Sequence, residues 1–212
     1  MLRLPILHRD EHLVIVDKPP GILVVPAPDR RGPTLVDVVG EQLGCRVQAV
    51  HRLDEDTTGV MVVALSDEGR AGMEALFRAH AVERDYLALV AATPSPPSGK
   101  IESALQEGAD GVMRVVTKGG ERAVTHYETI TRRESGALVR CRLETGRRNQ
   151  IRAHLAALGC PLAGDRKYGF RARHGERYAR VMLHSWRLRF THPLTGEPIE
   201  QTIAPREPEL RP

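Results

Sequence analysis

The densest polar cluster of the chain, His51-Arg52-Leu53-Asp54-Glu55-Asp56-Thr57-Thr58-Gly59, lies between two apolar, strand-like runs. It is too charged to be core. A loop that carries an aspartate beside an arginine, closed by hydroxyls and a glycine, is one way a fold presents a reactive carboxylate at the end of rigid strands. Asp54 is the candidate for that use. The spacing alone fits equally well a solvated turn in which an arginine and an aspartate pair with each other.

Other chemistries lack their residues. No GxGxxG follows a strand and no GxxxxGK[ST] is present, so phosphate-cradling loops are not expected. Cys45, Cys141 and Cys160 form no CxxC and are odd in number, which suggests neither a zinc knuckle nor a disulfide framework and suits a reducing cytosol. His126, His154 and His184 have no partner at metal-ligand spacing and are expected to be structural.

Charge is distributed unevenly. From Arg140 to Arg189 the chain has thirteen Lys or Arg against Glu144, Asp165 and Glu176, a net +10, while the whole chain is only +4 and the remainder therefore −6. A basic block of this kind suits a polyanion, because each neutralised phosphate releases a counterion. Arginines scattered over a solvated surface are the plainer alternative. With 4% aromatic residues, broad stacking on single strands is not expected; recognition by shape and backbone, with one base taken out, fits better. The N-terminal MLRLPILHRDEH is interrupted by Pro5, His8, Arg9 and two acids, and no later run approaches membrane-spanning length, so a soluble, cytoplasmic protein is expected.

The elements that must position Asp54 are legible in outline. Residues 13–17 (LVIVD) predict a buried strand, followed by the turn DKPPG at 17–21 and the apolar run ILVV. Thr34 is a candidate N-cap for a helix with Leu35, Val38, Val39 and Leu43 on one face, ended by Gly44. Strands are predicted at 47–50 and 59–65, then a helix capped by Ser66 through about His80, then the strand ERDYLALVA. Two short strands near Ile101 and Val115 form a hairpin excursion, followed by strands at 123–130 and 137–143. A helix over 150–158 has Ile151, Leu155 and Leu158 inward, and strands close the chain at 182–190 and 198–203. The order predicts an α+β fold, a central mixed, mostly antiparallel sheet with flanking helices and a catalytic cleft, as one domain spanning residues 1–212.

Four segments together resemble the RluA-type pseudouridine synthases. HRLDEDTTG resembles that family's HRLDxxTSG, DKPPG its DKPxG turn, and TGRRNQIRAHLAALGCPLAGDRKYG (145–169) its TGRxHQIRxHLxxxGxPIxGDxxYG block. GERAVTHYE at 120–128 fits its G(K/R)xAxTxY strand. The likeness runs from about residue 12 to 205 in the family's order and spacing. There are departures: Thr58 stands for a serine, Arg84 for a lysine two residues before the motif tyrosine, and Asn149 for a histidine, so no acid or base role is assigned at 149. The first motif begins within twenty residues of the start, which resembles single-domain members without an S4-type RNA-binding domain.

The resemblance implies an isomerase that converts uridine to pseudouridine in structured ribosomal or transfer RNA. It breaks the N1–C1′ bond, turns the base and joins C5 to C1′, with no electrons or groups exchanged, so no cofactor, metal or nucleotide is expected. It implies Asp54 as the catalytic carboxylate, attacking C1′ or C6 or removing a ribose proton, with Arg152 of the QIR triplet keeping it charged. It implies Tyr86 as the tyrosine that stacks on the base and Arg52 as the side chain entering the vacated stack. Lys18, Arg147, Arg148, Arg166, Lys167, Arg171 and Arg173 are expected phosphate contacts. No membrane partner is expected, and the enzyme is expected to act as a monomer. Two rivals remain at this level: an RNA-binding module without chemistry, and an N-glycosidic hydrolase using Asp54 with Glu55 or Asp56.

Overall fold

The computed structural model describes residues 2–28, 30–172 and 176–212. In chain order the elements are β1 (Ile6–Arg9), β2 (Leu13–Lys18), α1 (Leu35–Leu43), β3 (Gln48–Ala49), β4 (Thr58–Ala64), α2 (Asp67–Arg78) and β5 (Glu83–Val90). They continue with β6 (Ser98–Glu107), β7 (Met113–Val116), β8 (Glu121–Arg133), β9 (Gly136–Leu143), α3 (Gln150–Ala157), β10 (Leu183–Thr191) and β11 (Pro198–Thr202). The chain divides into two compact units, Met1–Arg84 with Ser185–Ala204, and Asp85–His184 with Pro205–Pro212.

In the first unit the strands lie in the order β1-β2-β4-β10, with β3 on β4 and β11 on β10. Every residue of β2 and β4 is buried, as their near-continuous apolar runs require. Leu13, Ile15, Val60, Val62, Leu188, Phe190 and Ile199 form a core that α2 covers through Met73. Ser66 caps α2 by accepting from the Gly69 N–H, and Thr34 begins α1 with a capping box to Asp37. ILVV is not a strand; its Leu23 and Val24 carbonyls instead accept from the N–H groups of Leu35 and Val36. Strand β1 went unanticipated because four half-exposed residues beside a bulge give no readable alternation.

In the second unit the order is β5-β9-β8-β6-β7, each pair antiparallel. Strands β6 and β8 run to 10 and 13 residues, longer than their sequences suggested, since much of each is exposed and the ladder hydrogen bonds carry them where no apolar pattern does. Ala153 of α3 packs on Leu105, Met113 and Ala123. Beside that contact runs a buried polar seam. Gln150 donates to the Val124 carbonyl and to Thr125 Oγ1, at 2.9 Å each, and accepts from Thr145 and the Arg147 N–H. His154, one turn on, is held between Ser103 and Thr125 at 2.9 Å each. Ile151 and Leu155 are core, as expected, whereas Leu158, expected inward with them, is the C-cap of α3 and only half-buried. The antiparallel pairing and the three helices among the described residues make this an α+β fold. No helix among those residues is long and apolar enough to cross a membrane.

Candidate active site

Strand β2 ends with Lys18 opposite Gly59 at the start of β4, so the DKPPG turn and the 51–57 loop leave neighbouring strands side by side. Lys18 joins them. Its side chain is fully buried, and its ammonium donates to the carbonyls of Pro19 (3.0 Å), Glu55 (2.7 Å) and Thr57 (2.9 Å). The Glu55 carbonyl also accepts from the Gly21 N–H at 3.0 Å, a contact made at φ +76°, where glycine carries no steric cost. The Thr57 N–H closes the turn onto the Asp54 carbonyl at 3.1 Å, and Leu53 is buried next to it. Half-buried Asp54 therefore sits on a loop whose flanking carbonyls are tied to one cation. This corrects the expectation for Lys18: an ammonium enclosed by three carbonyls, with no surface in water, is not a phosphate contact.

The Glu55 carboxylate is turned to an ion pair with Arg30. Arg52 is exposed. His51 packs its ring on Phe77, and its Nε2 accepts from the Val62 N–H at 3.2 Å. Burial, and secondarily the Arg84 charge, hold its pKa down to about 3. Arg84 is itself buried, with its guanidinium over Phe77.

The buried His154 is likewise pushed down, to about 4, by desolvation. Both pKa values lie below those of the unfolded chain, so below about pH 6.5 the unfolded state takes up protons that the fold refuses, and stability falls with acid. Each histidine is expected to cost about 2 kcal/mol at pH 5 relative to pH 7. Thermal melts from pH 7 to pH 5 check this: the double variant H51Q/H154Q should show a clearly flatter fall in midpoint than the wild type, and equal slopes would refute the assignment.

In the second unit Tyr86 lies on β5 opposite Cys141 of β9 and is largely buried. Its neighbour Asp85 is wholly buried and paired with Arg142 across the strands at 3.1 Å. Arg152, on α3, is gripped by Asp165: Nε to Oδ2 at 2.6 Å and Nη2 to Oδ1 at 2.9 Å, with 12% and 1% of the two side chains exposed. The Tyr168 ring lies over the same guanidinium, 4.9 Å from Cζ to centroid.

A family model described as RNA pseudouridylate synthase matches residues 12–157. The chain belongs to the RNA pseudouridine synthase family. It is therefore an isomerase. Among curated relatives it is 38% identical, over 93% of its length and 68% of the relative's, to the ribosomal large subunit pseudouridine synthase D of Zymomonas mobilis. It is 37% identical to the RNA pseudouridine synthase YlyB of Bacillus subtilis, over 93% of this chain and 67% of that one. Of solved structures, human RNA pseudouridylate synthase domain containing 4 superposes with a TM-score of 0.79 at 29% identity, covering 95% of this chain and 88% of that one.

Within this pseudouridine synthase the expected phosphate contacts divide. Arg166 and Arg171 are exposed, and Lys167 is exposed with its ammonium on the Gly111 carbonyl. Arg147 and Arg148 are paired with Glu121 (2.7 Å) and Glu107 (2.5 Å), acids 26 and 41 residues away that sequence reading could not connect to them. Arg173 falls outside the described residues. Asn149, the departure from the family's histidine, is the N-cap of α3 at φ +50°, a left-handed conformation that asparagine tolerates. Its Oδ1 accepts from the Tyr168 hydroxyl at 3.4 Å, so a group that does not titrate at neutral pH takes this place. Among the described residues no group of three or more His, Cys, Asp or Glu is placed to hold a metal.

Proposed function

We propose that this pseudouridine synthase isomerises uridine in the RNA of the large ribosomal subunit, with Asp54 as its catalytic carboxylate. The reading of the substrate is supported by relatives that carry the name ribosomal large subunit pseudouridine synthase D at 36–38% identity. Ribosomal RNA is consistent with the cytoplasmic location expected from the sequence. The observation that carries the reading of Asp54 is the Lys18 ammonium, which binds the carbonyls of Pro19, Glu55 and Thr57 and so ties the loop that carries this carboxylate to the DKPPG turn.

In this reading the target uridine leaves its stack at a cost of a few kcal/mol, and Arg52 enters the gap. Tyr86 faces the base, Arg152 supplies positive charge to the reacting carboxylate, and Asp54 either bonds to the sugar or base or takes a ribose proton. Residues 1–212 work as one catalytic domain and as a monomer. Exposed Arg166, Lys167 and Arg171 contact phosphates, joined by Arg147 and Arg148 when phosphate displaces their carboxylates.

The test is to incubate the enzyme separately with ribosomal and transfer RNA that lack pseudouridine, and to map pseudouridine by carbodiimide adducts. New sites are expected in large-subunit RNA. Sites confined to transfer RNA would overturn the substrate, and release of free uracil in place of pseudouridine would overturn the reaction.

A further inference from the structure

The pairing of Arg152 with Asp165 is more exacting than a catalytic cation by itself needs. Asp165 follows Gly164, at φ +80°, where an added Cβ would lie 2.0 Å from the Arg180 carbonyl oxygen, so the backbone passes closer than any side chain allows. The Asp165 N–H is bound to the Leu162 carbonyl, and its own carbonyl accepts from the N–H groups of Tyr168 and Phe170 at 3.1 and 3.0 Å. The carboxylate is thus fixed at its backbone, buried, and spent on two nitrogens of a single guanidinium.

Tyr168 holds the flat face of the same group, and its hydroxyl is tied twice. It donates to Asn149 Oδ1 at 3.4 Å and accepts from the Met113 N–H at 3.1 Å, which fixes the ring between the N-terminus of α3 and the start of β7. An arginine side chain ordinarily samples many rotamers. Here a fork on one edge and a ring on one face remove that freedom before any RNA arrives.

We propose that Asp165 and Tyr168 are positioning residues for the reaction: they clamp the Arg152 guanidinium and so hold its charge in one orientation. The inference rests on the assignment of Arg152 and Asp54 under the proposed function. A brace that merely holds the 165–169 turn against α3 would use the same contacts, and the two differ in kinetics. Misplacing a preorganised charge slows the chemical step and leaves the binding of a large RNA unchanged.

Steady-state kinetics on modifiable RNA, with thermal midpoints read in parallel, separate these. Asp165→Asn, which keeps the shape and removes the charge, is expected to lower kcat about a hundredfold with KM within about threefold of the wild type. Tyr168→Leu is expected to lower kcat about tenfold, and Tyr168→Phe, which keeps the ring, less than threefold. A kcat for Asp165→Asn within threefold of the wild type overturns the clamp, as does a rise in KM that accounts for the loss. If Asp165→Asn does not fold, the contrast between Tyr168→Leu and Tyr168→Phe decides by the same split. Asp54→Asn is measured alongside. Full activity there rejects the underlying assignment, whereas an inactive Asp54→Asn with an unimpaired Asp165→Asn rejects the clamp alone.

Discussion

Asp54→Asn is expected to abolish pseudouridine formation while the protein stays folded and still binds RNA. The substitution exchanges one oxygen for an amide nitrogen and keeps the volume. The loop has main-chain ties of its own: the Thr57 N–H bonds to the Asp54 main-chain carbonyl, and Lys18 holds the carbonyls of Pro19, Glu55 and Thr57. The thermal midpoint should therefore move by no more than a few degrees. An amide can neither form the covalent bond nor take the proton that the reaction requires, and loss of a nucleophile or base typically costs 10²–10⁴-fold or more. A rate at or below about one thousandth of the wild type is expected in single-turnover assays with carbodiimide mapping. Affinity for RNA should hold or rise, because a negative charge that repels phosphate is gone. A variant that modifies RNA as fast as the wild type would show the carboxylate to be a bystander, and one that loses RNA binding as well would show it to be structural.

Why some of this was legible and some was not follows from the range of the interactions involved. Helix α1, with its Thr34–Asp37 box, and strand β4, buried at every residue, are specified by neighbours within a few positions, and both lie within a residue or two of where the sequence put them. The inward face of α3 was equally plain from Ile151 and Leu155. The polar seam beneath that helix was not: Gln150 and His154 find their partners in Val124, Thr125 and Ser103, 25 to 51 residues away. Asp165 was counted only as one acid in a basic block, because nothing local says that a carboxylate thirteen residues after Arg152 will fork onto it. The placement of Asp54 on a loop after a strand could be read from composition, but what immobilises that loop could not.

Lys18 shows the difference most sharply, and replacing it should have the second large effect. From the sequence, a lysine in a Pro-Pro-Gly turn belongs on the surface, where Lys18→Met would only weaken RNA binding and reduce its salt dependence by about one phosphate contact. With the ammonium enclosed, Lys18→Met instead takes the donor from three carbonyls, of which that of Glu55 keeps the Gly21 N–H. The two others lose about 1–3 kcal/mol each, part of it recovered by relaxation, so a loss of about 2–4 kcal/mol in folding free energy is expected from denaturant titration. Lys18→Arg should not restore the site, because a planar fork cannot converge on three oxygens gathered around a single point. In whatever fraction stays folded, the turn carrying Asp54 loses the cation that joins it to the DKPPG corner, and kcat should fall by about a hundredfold with KM for RNA changed much less. The same titration run against salt discriminates the two accounts: a destabilised Lys18→Met with an unaltered salt slope for RNA binding marks an internal strut, and a stable protein with a reduced slope would return this lysine to the RNA surface.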